Sequence, residues 1–473
     1  MGLGLRYVST RGSAPELGFG DVLLTGLAND GGLYVPAETP SIDWARFSAA
    51  SNQSGEAEGS YVDVAVEVMA PFVVPSFDLD EFRDIVGQAY ATFHHDEVVP
   101  VVDLGDDSFL MELFWGPTLA FKDVALQLVG RLFEAELTRR GQRLTIVGAT
   151  SGDTGSAAIE ACRDRDALDI FILFPKGRVS EVQRRQMTTV RAGNVHAIEV
   201  DGTFDDCQDL VKAMFAHESF RDEVHLGAVN SINWARVMAQ VVYYAWAARN
   251  IGRGDPVSFS VPTGNFGNVY AGEIARRMGV PISQLLVGSN RNDILTQFFG
   301  SGRMTISDVE PSLSPSMDIQ VSSNLERLLF DLLARDGGRV ADFMAMFRGD
   351  GTAAIDSDAL HSLSENWRGT SVDDQETLAT IARYHETRDM LLDPHTAVGM
   401  LAAERLGADL AHPVITLATA HPAKFPDAVS EAVGIKPDLP SHLSDLMTLE
   451  ENFATLPDDL AVVEAYVLEN RSG

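Results

Sequence analysis

From residue 100 onward, short apolar runs alternate with longer helical patterns. Leu144–Val147 leads through a Gly/Ser/Thr loop to a helix from about 155. Ile170–Phe174 precedes a helix over 180–192, and Val195–Val200 one over 204–217. Val224–Val229 precedes one over 233–250, and Val257–Val261 one over 267–279. Leu285–Val287 and Pro413–Ala418 read as further strands. Such alternation predicts parallel sheets covered by helices on both faces. The number of units predicts an α/β fold with two open α/β subdomains. The first hundred residues differ. Asn29–Pro36 reads as a turn and short strand, residues 51–59 as a loop, and 61–71 and 78–92 as helices. Residues 300–390 read as less regular and mostly helical, broken at Gly337-Gly338 and Gly349-Asp350-Gly351. The division expected is 1–98 (mixed α/β), 99–435 (two α/β subdomains) and 436–473 (a C-terminal helical extension).

Composition narrows the function. The chain has 473 residues, enough for several cores. Its net charge of −32 argues against nucleic acid, which is bound through Lys/Arg contacts to phosphate, and against anionic membranes. Cys162 and Cys207 have neither metal-ligand spacing nor a disulfide framework. The N-terminus lacks the charged-then-apolar pattern of a signal peptide, so a cytoplasmic location is the expectation. Oligomeric state stays open between monomer and homodimer.

Only five of the 36 basic residues are lysine, and one of them, Lys122, ends the apolar run Phe114–Phe121 at a helix start. Lysine can lose its proton on burial and attack a carbonyl; arginine cannot. A snorkelling lysine would look the same locally. The loops after the strands decide, because open α/β sheets bind ligands at the carboxyl ends of their strands. Gly148–Ser156 packs hydroxyls, Asp153 and three glycines into a strand-to-helix turn suited to a carboxylate. Pro262–Asn268 places two glycines and two asparagines at a helix start, an anion cradle suited to phosphate. Thr419 would present a hydroxyl at the end of the last strong strand. Lys176, Arg178, Arg184 and Arg185 cluster unusually for so acidic a chain; the last two read as a solvated helix face. Asn230–Arg236 offers amides and a guanidinium, and Asp393–Gly399 a turn with a lone histidine. A lysine, a phosphate cradle, a carboxylate loop and a hydroxyl donor together suit a pyridoxal phosphate (PLP) enzyme. A metal hydrolase finds only His94-His95-Asp96, and no Gly-x-Ser-x-Gly elbow is present.

These motifs run in one order over nearly the whole chain: Asp30–Pro36, Gly116–Asp123, Ala149–Gly155, Gly177–Met187, Asn230–Arg236, Pro262–Asn268, Ser314–Leu329, Asp393–Gly399 and Thr419–Phe425. In that order the chain resembles the threonine synthases of the longer bacterial and fungal type. These are fold-type-II PLP enzymes related to the tryptophan synthase β chain. The resemblance implies that Lys122 carries PLP covalently. It implies that Gly264, Asn265, Phe266, Gly267 and Asn268 bind the cofactor phosphate, and that Thr419 bonds the pyridine nitrogen. Asp153 stands where many relatives place asparagine against the ring hydroxyl. Ser151, Gly152, Asp153 and Thr154 would hold the substrate carboxylate, and Lys176, Arg178 and Arg236 the substrate phosphate. The implied reaction converts O-phosphohomoserine and water to threonine and phosphate, Lys122 moving the protons. The alternatives are a PLP lyase that makes a keto acid and ammonia, and a non-catalytic binding protein, which would have lost the lysine or the cradle.

Overall fold

The computed structural model describes residues 4–49 and 59–472. The loop expected over 51–59 lies almost wholly outside them. Two parallel sheets organise the chain. The larger runs Trp367–Ser371, Ile282–Ser289, Val257–Pro262, Val414–Ala418, Ser108–Glu112, Val101–Gly105, parallel except for the last pair. The smaller runs Ala454–Pro457, Val195–Asp201, Leu168–Pro175, Leu144–Ala149, Leu226–Gly227, all parallel. Leu168–Pro175 and Val257–Pro262 are buried at every position. That is why they read as continuous apolar runs rather than alternating ones.

The helix Trp234–Ala247 is buried all round. Trp234 packs its indole against Tyr7 and Phe72, with ring centroids 6.0 and 5.8 Å away. The N-terminal residues therefore share a core with the sheets. An antiparallel pair, Tyr7–Ser9 with Tyr34–Pro36, is steadied by Asp30, which accepts from Ser9 Oγ and the N–H groups of Ser13, Ala14 and Gly32. Arg327, fully buried, donates to the carbonyls of Tyr34 and Ile232 and to Asn324 Oδ1. It ties this pair to the loop that enters the central helix.

Three expectations change. The strand expected over Val224–Val229 shrinks to Leu226–Gly227, because Glu218–Val224 is helical. Phe220 and Val224, four apart, bury on one helix face, and His225 ends the helix in the left-handed region. The irregular 300–390 stretch supplies Trp367–Ser371, an edge strand of the larger sheet. The end of the chain is not a helical extension alone. Ala454–Pro457 pairs with Val195–Asp201, and Val463 and Val467 of the helix Leu460–Asn470 enter the core of Ile198 and Val200. No helix among the described residues is long and apolar enough to cross a membrane.

Candidate active site

Lys122 begins the helix Lys122–Arg140. The turn before it is tight: a Cβ on Gly116 would lie 2.4 Å from that of Asp123, and Leu119 has φ +64°. Thr118 donates its N–H and its hydroxyl to the two oxygens of Asp123, both at 2.8 Å. Burial nonetheless pushes the Asp123 carboxyl up to about 6. Phe121 N–H donates to Thr419 O at 2.9 Å and His421 N–H to Leu119 O at 3.0 Å. The lysine turn is thereby laced to the loop that leaves the central strand Val414–Ala418.

Asp153, the first residue of the helix Asp153–Cys162, is the hub. Its Oδ2 lies 3.1 Å from Lys122 Nζ, and its Oδ1 lies 2.9 Å from Lys424 Nζ. Gln183 Nε2 donates to Oδ1 at 2.8 Å and Ser316 Oγ to Oδ2 at 3.4 Å. Burial pushes this carboxyl up, but the two ammonium groups and Gln183 outweigh it and hold it well below the usual carboxylate range. Lys424 has no exposure and also donates to Thr118 O at 2.7 Å. Burial lowers Lys122, Asp153 opposes, and the charges of Lys424 and Arg236 push the same way as burial. A lysine so placed gives up its proton more readily than one in water.

Asp393 aligns the opposite wall. It accepts from the hydroxyl of Thr396 and bonds His395 Nδ1 at 2.8 Å. His395 Nε2 accepts the N–H of Ser316 at 3.2 Å, so the ring proton sits on Nδ1. Thr396 Oγ1 accepts the N–H of Thr419 at 3.2 Å. His395 thus seats Ser316 against Asp153.

The Gly264–Asn268 loop enters the helix Gly267–Arg277. A Cβ on Gly264 would lie 2.5 Å from Ser316 O, and Phe266 has φ +65° with its ring stacked 5.4 Å from Trp367. Ser322 Oγ holds Gly264 O at 2.6 Å, and Asn324 Nδ2 holds Asn265 O at 2.9 Å. Asn268 is buried, yet its Nδ2 has no partner. Arg236 is buried too; its Nε and Nη1 lack partners, and burial lowers the guanidinium to about 10. A buried donor without a partner costs about 1–3 kcal/mol, more for a charge, so both call for an anion.

The other expected residues divide. Thr150 Oγ1 accepts the N–H groups of Gly152 and Gly155 at 3.0 and 2.9 Å, shaping the 151–154 loop. Ser151 is exposed there and Thr154 half-buried. Lys176 and Arg178 are exposed, and neither side chain bonds to the cluster among the described residues. Arg184 pairs with Glu451, and Arg185 with Glu181 and the Leu449 carbonyl, so this expected solvated face is half-covered by the C-terminal segment. Sequence reading missed Gln183, Ser316, Asn324 and Lys424's ion pair. All four lie inside the motifs named above; the neutral side chains of Gln183, Ser316 and Asn324 carry no signal of their own.

The residues present fit pyridoxal phosphate: a buried lysine for its aldehyde, and an unpartnered amide at a glycine-rich helix start for its phosphate. A family model described as pyridoxal-phosphate dependent enzyme matches residues 102–346, and this chain is a PLP-dependent enzyme of the α/β class. Models of the threonine synthase N terminus and C-terminal region match residues 6–90 and 396–467. The threonine synthase of Pseudomonas aeruginosa is 51% identical over 98% of either chain. The PLP-bound threonine synthase of Brucella melitensis superposes with a TM-score of 0.96 at 49% identity, covering 99% of this chain and 100% of that one. The yeast structure gives 0.93 at 40% identity, covering 98% of each. The chain belongs to the threonine synthase family of PLP-dependent lyases.

Proposed function

We propose that this enzyme converts O-phosphohomoserine and water to threonine and phosphate, with Lys122 as its proton-transfer residue. The observation that carries the choice of substrate is Arg236, a buried guanidinium with two unpartnered nitrogens whose charge reaches Lys122. Bound PLP supplies the electron sink for charge developing on the substrate carbons. Lys122 would hold its aldehyde carbon, Gly264–Asn268 its phosphate, Thr419 its pyridine nitrogen and Asp153 its ring hydroxyl. Ser151–Thr154 would bind the substrate carboxylate at the start of the helix Asp153–Cys162. Lys122 Nζ, which burial disposes to give up its proton, takes the proton from the substrate α carbon and returns one later. Asp153, kept ionised by Lys424, holds Lys122 Nζ in place through these changes. Residues 1–98 would serve as a buttress, 99–435 as the catalytic region and 436–473 as a brace on the smaller sheet. The two buried thiols, Cys162 and Cys207, suit the reducing cytoplasm proposed for it.

The test is to incubate the PLP-loaded enzyme with O-phosphohomoserine and measure threonine and phosphate together. Equal amounts of both are expected. A keto acid and ammonia in place of threonine would mean a different lyase.

A further inference from the structure

Asn268 presents an amide whose two ends meet different surroundings. Its Oδ1 accepts the hydroxyl of Tyr243 at 2.5 Å and that of Tyr244 at 3.1 Å. Tyr244 OH also lies 3.0 Å from the Asn268 carbonyl oxygen. The other end, Nδ2, is buried and unpartnered, and the whole residue is only 7% exposed. Both tyrosines have no exposure and lie consecutively in a helix whose other core positions are chiefly apolar. Burial pushes both phenols well above their ordinary range, so they remain donors at neutral pH. Each phenol has one proton to donate: that of Tyr243 goes to Oδ1, and that of Tyr244 is shared between Oδ1 and the backbone carbonyl. The close approach of the two helices is itself built in: a Cβ on Gly272 would lie 2.8 Å from the Tyr244 ring.

We propose that Tyr243 and Tyr244 are positioning residues that lock the Asn268 amide with its Nδ2 turned away from them and free for the cofactor phosphate. The proposal rests on the reading of Gly264–Asn268 as the phosphate cradle. Without the two hydroxyls the amide could rotate by half a turn and present an oxygen to the phosphate, which would repel it.

The test measures the affinity of apoenzyme for PLP and for pyridoxal, which lacks the phosphate, by the visible absorbance of the lysine-bound cofactor. Tyr243→Phe and Tyr244→Phe, singly and together, remove the hydroxyls at constant ring volume. Asn268→Ala removes the amide. Asn268→Ala is expected to weaken PLP by about 10- to 100-fold, and the double Phe variant by about tenfold. Pyridoxal affinity should stay within about twofold for all of them. If Asn268→Ala loses PLP selectively while the double Phe variant binds it as tightly as the parent, the positioning role is wrong and the cradle stands. The same holds if the double variant loses pyridoxal equally. If Asn268→Ala itself shows no selective loss, the cradle reading of that side chain falls and the proposal with it.

Discussion

Lys424 Nζ lies 2.9 Å from Asp153 Oδ1, while the other oxygen of the same carboxylate lies 3.1 Å from Lys122 Nζ. One buried carboxylate thus serves two ammonium groups, and the proposed function calls on only one of them. Lys424, with no exposure, gives Asp153 a second ion-pair partner. When Lys122 becomes neutral, Asp153 is not left as an isolated buried charge, which would cost several kcal/mol.

Lys424→Met should therefore act in two ways. Stability should fall by about 3 kcal/mol, the low end for breaking a buried pair, because Asp153 keeps Lys122 and Gln183. Lys122 should also hold its proton to higher pH, since the field of Asp153 is no longer shared and the repulsion from Lys424 is gone. With Lys122 in its proposed role, the rate at which apoenzyme takes up PLP depends on the neutral amine. The pH profile of that rate should move to higher pH. An unmoved or lowered profile would count against the shared-carboxylate arrangement.

Arg236→Met should raise KM for O-phosphohomoserine by about 10- to 100-fold, the worth of a charge-assisted bond, and leave PLP affinity within about twofold. Lys176→Ala and Arg178→Ala, at exposed positions, should change KM by less than about threefold. Steady-state kinetics on the three variants decides which cation meets the substrate phosphate.

His421 carries a pH signature. Its Nδ1 accepts the N–H of Ala423 at 3.1 Å, and burial lowers it to about 4 from an ordinary 6.5. Between those values the unfolded chain binds a proton that the native state refuses. Stability is therefore lost as pH falls through that window, by up to about 3 kcal/mol from this group. His421→Asn keeps an acceptor for Ala423 and has no proton to gain. Urea unfolding at pH 7 and pH 4 should show a smaller loss for the variant than for the parent; equal losses would refute the assignment.

Arg327→Met should lower the unfolding free energy by about 3–5 kcal/mol, because it strips donors from the buried carbonyls of Tyr34 and Ile232 and from Asn324. Asn324 in turn holds Asn265 O, so PLP affinity should weaken as well. Denaturant midpoints with and without PLP separate the two effects.

The sequence by itself determined the strand–loop–helix rhythm, and it singled out the strand-end loops and Lys122 as the candidates for the chemistry. Each of these is local. A strand buried on both faces must be apolar, a turn against a ligand must be small, and an amine nucleophile must be lysine. The resemblance added the family and the order of its motifs. Tertiary structure alone decided which charged groups meet. Asp153, Lys122 and Lys424 come from three separate motifs, and no spacing along the chain announces their contact. Likewise, Arg236 is set apart from Lys176 and Arg178 by burial without a partner, a property of its surroundings and not of its residue type. The edge strand Trp367–Ser371 escaped for the same reason. It is short and largely polar, and it is a strand because Ile282–Ser289 offers it a ladder of backbone hydrogen bonds.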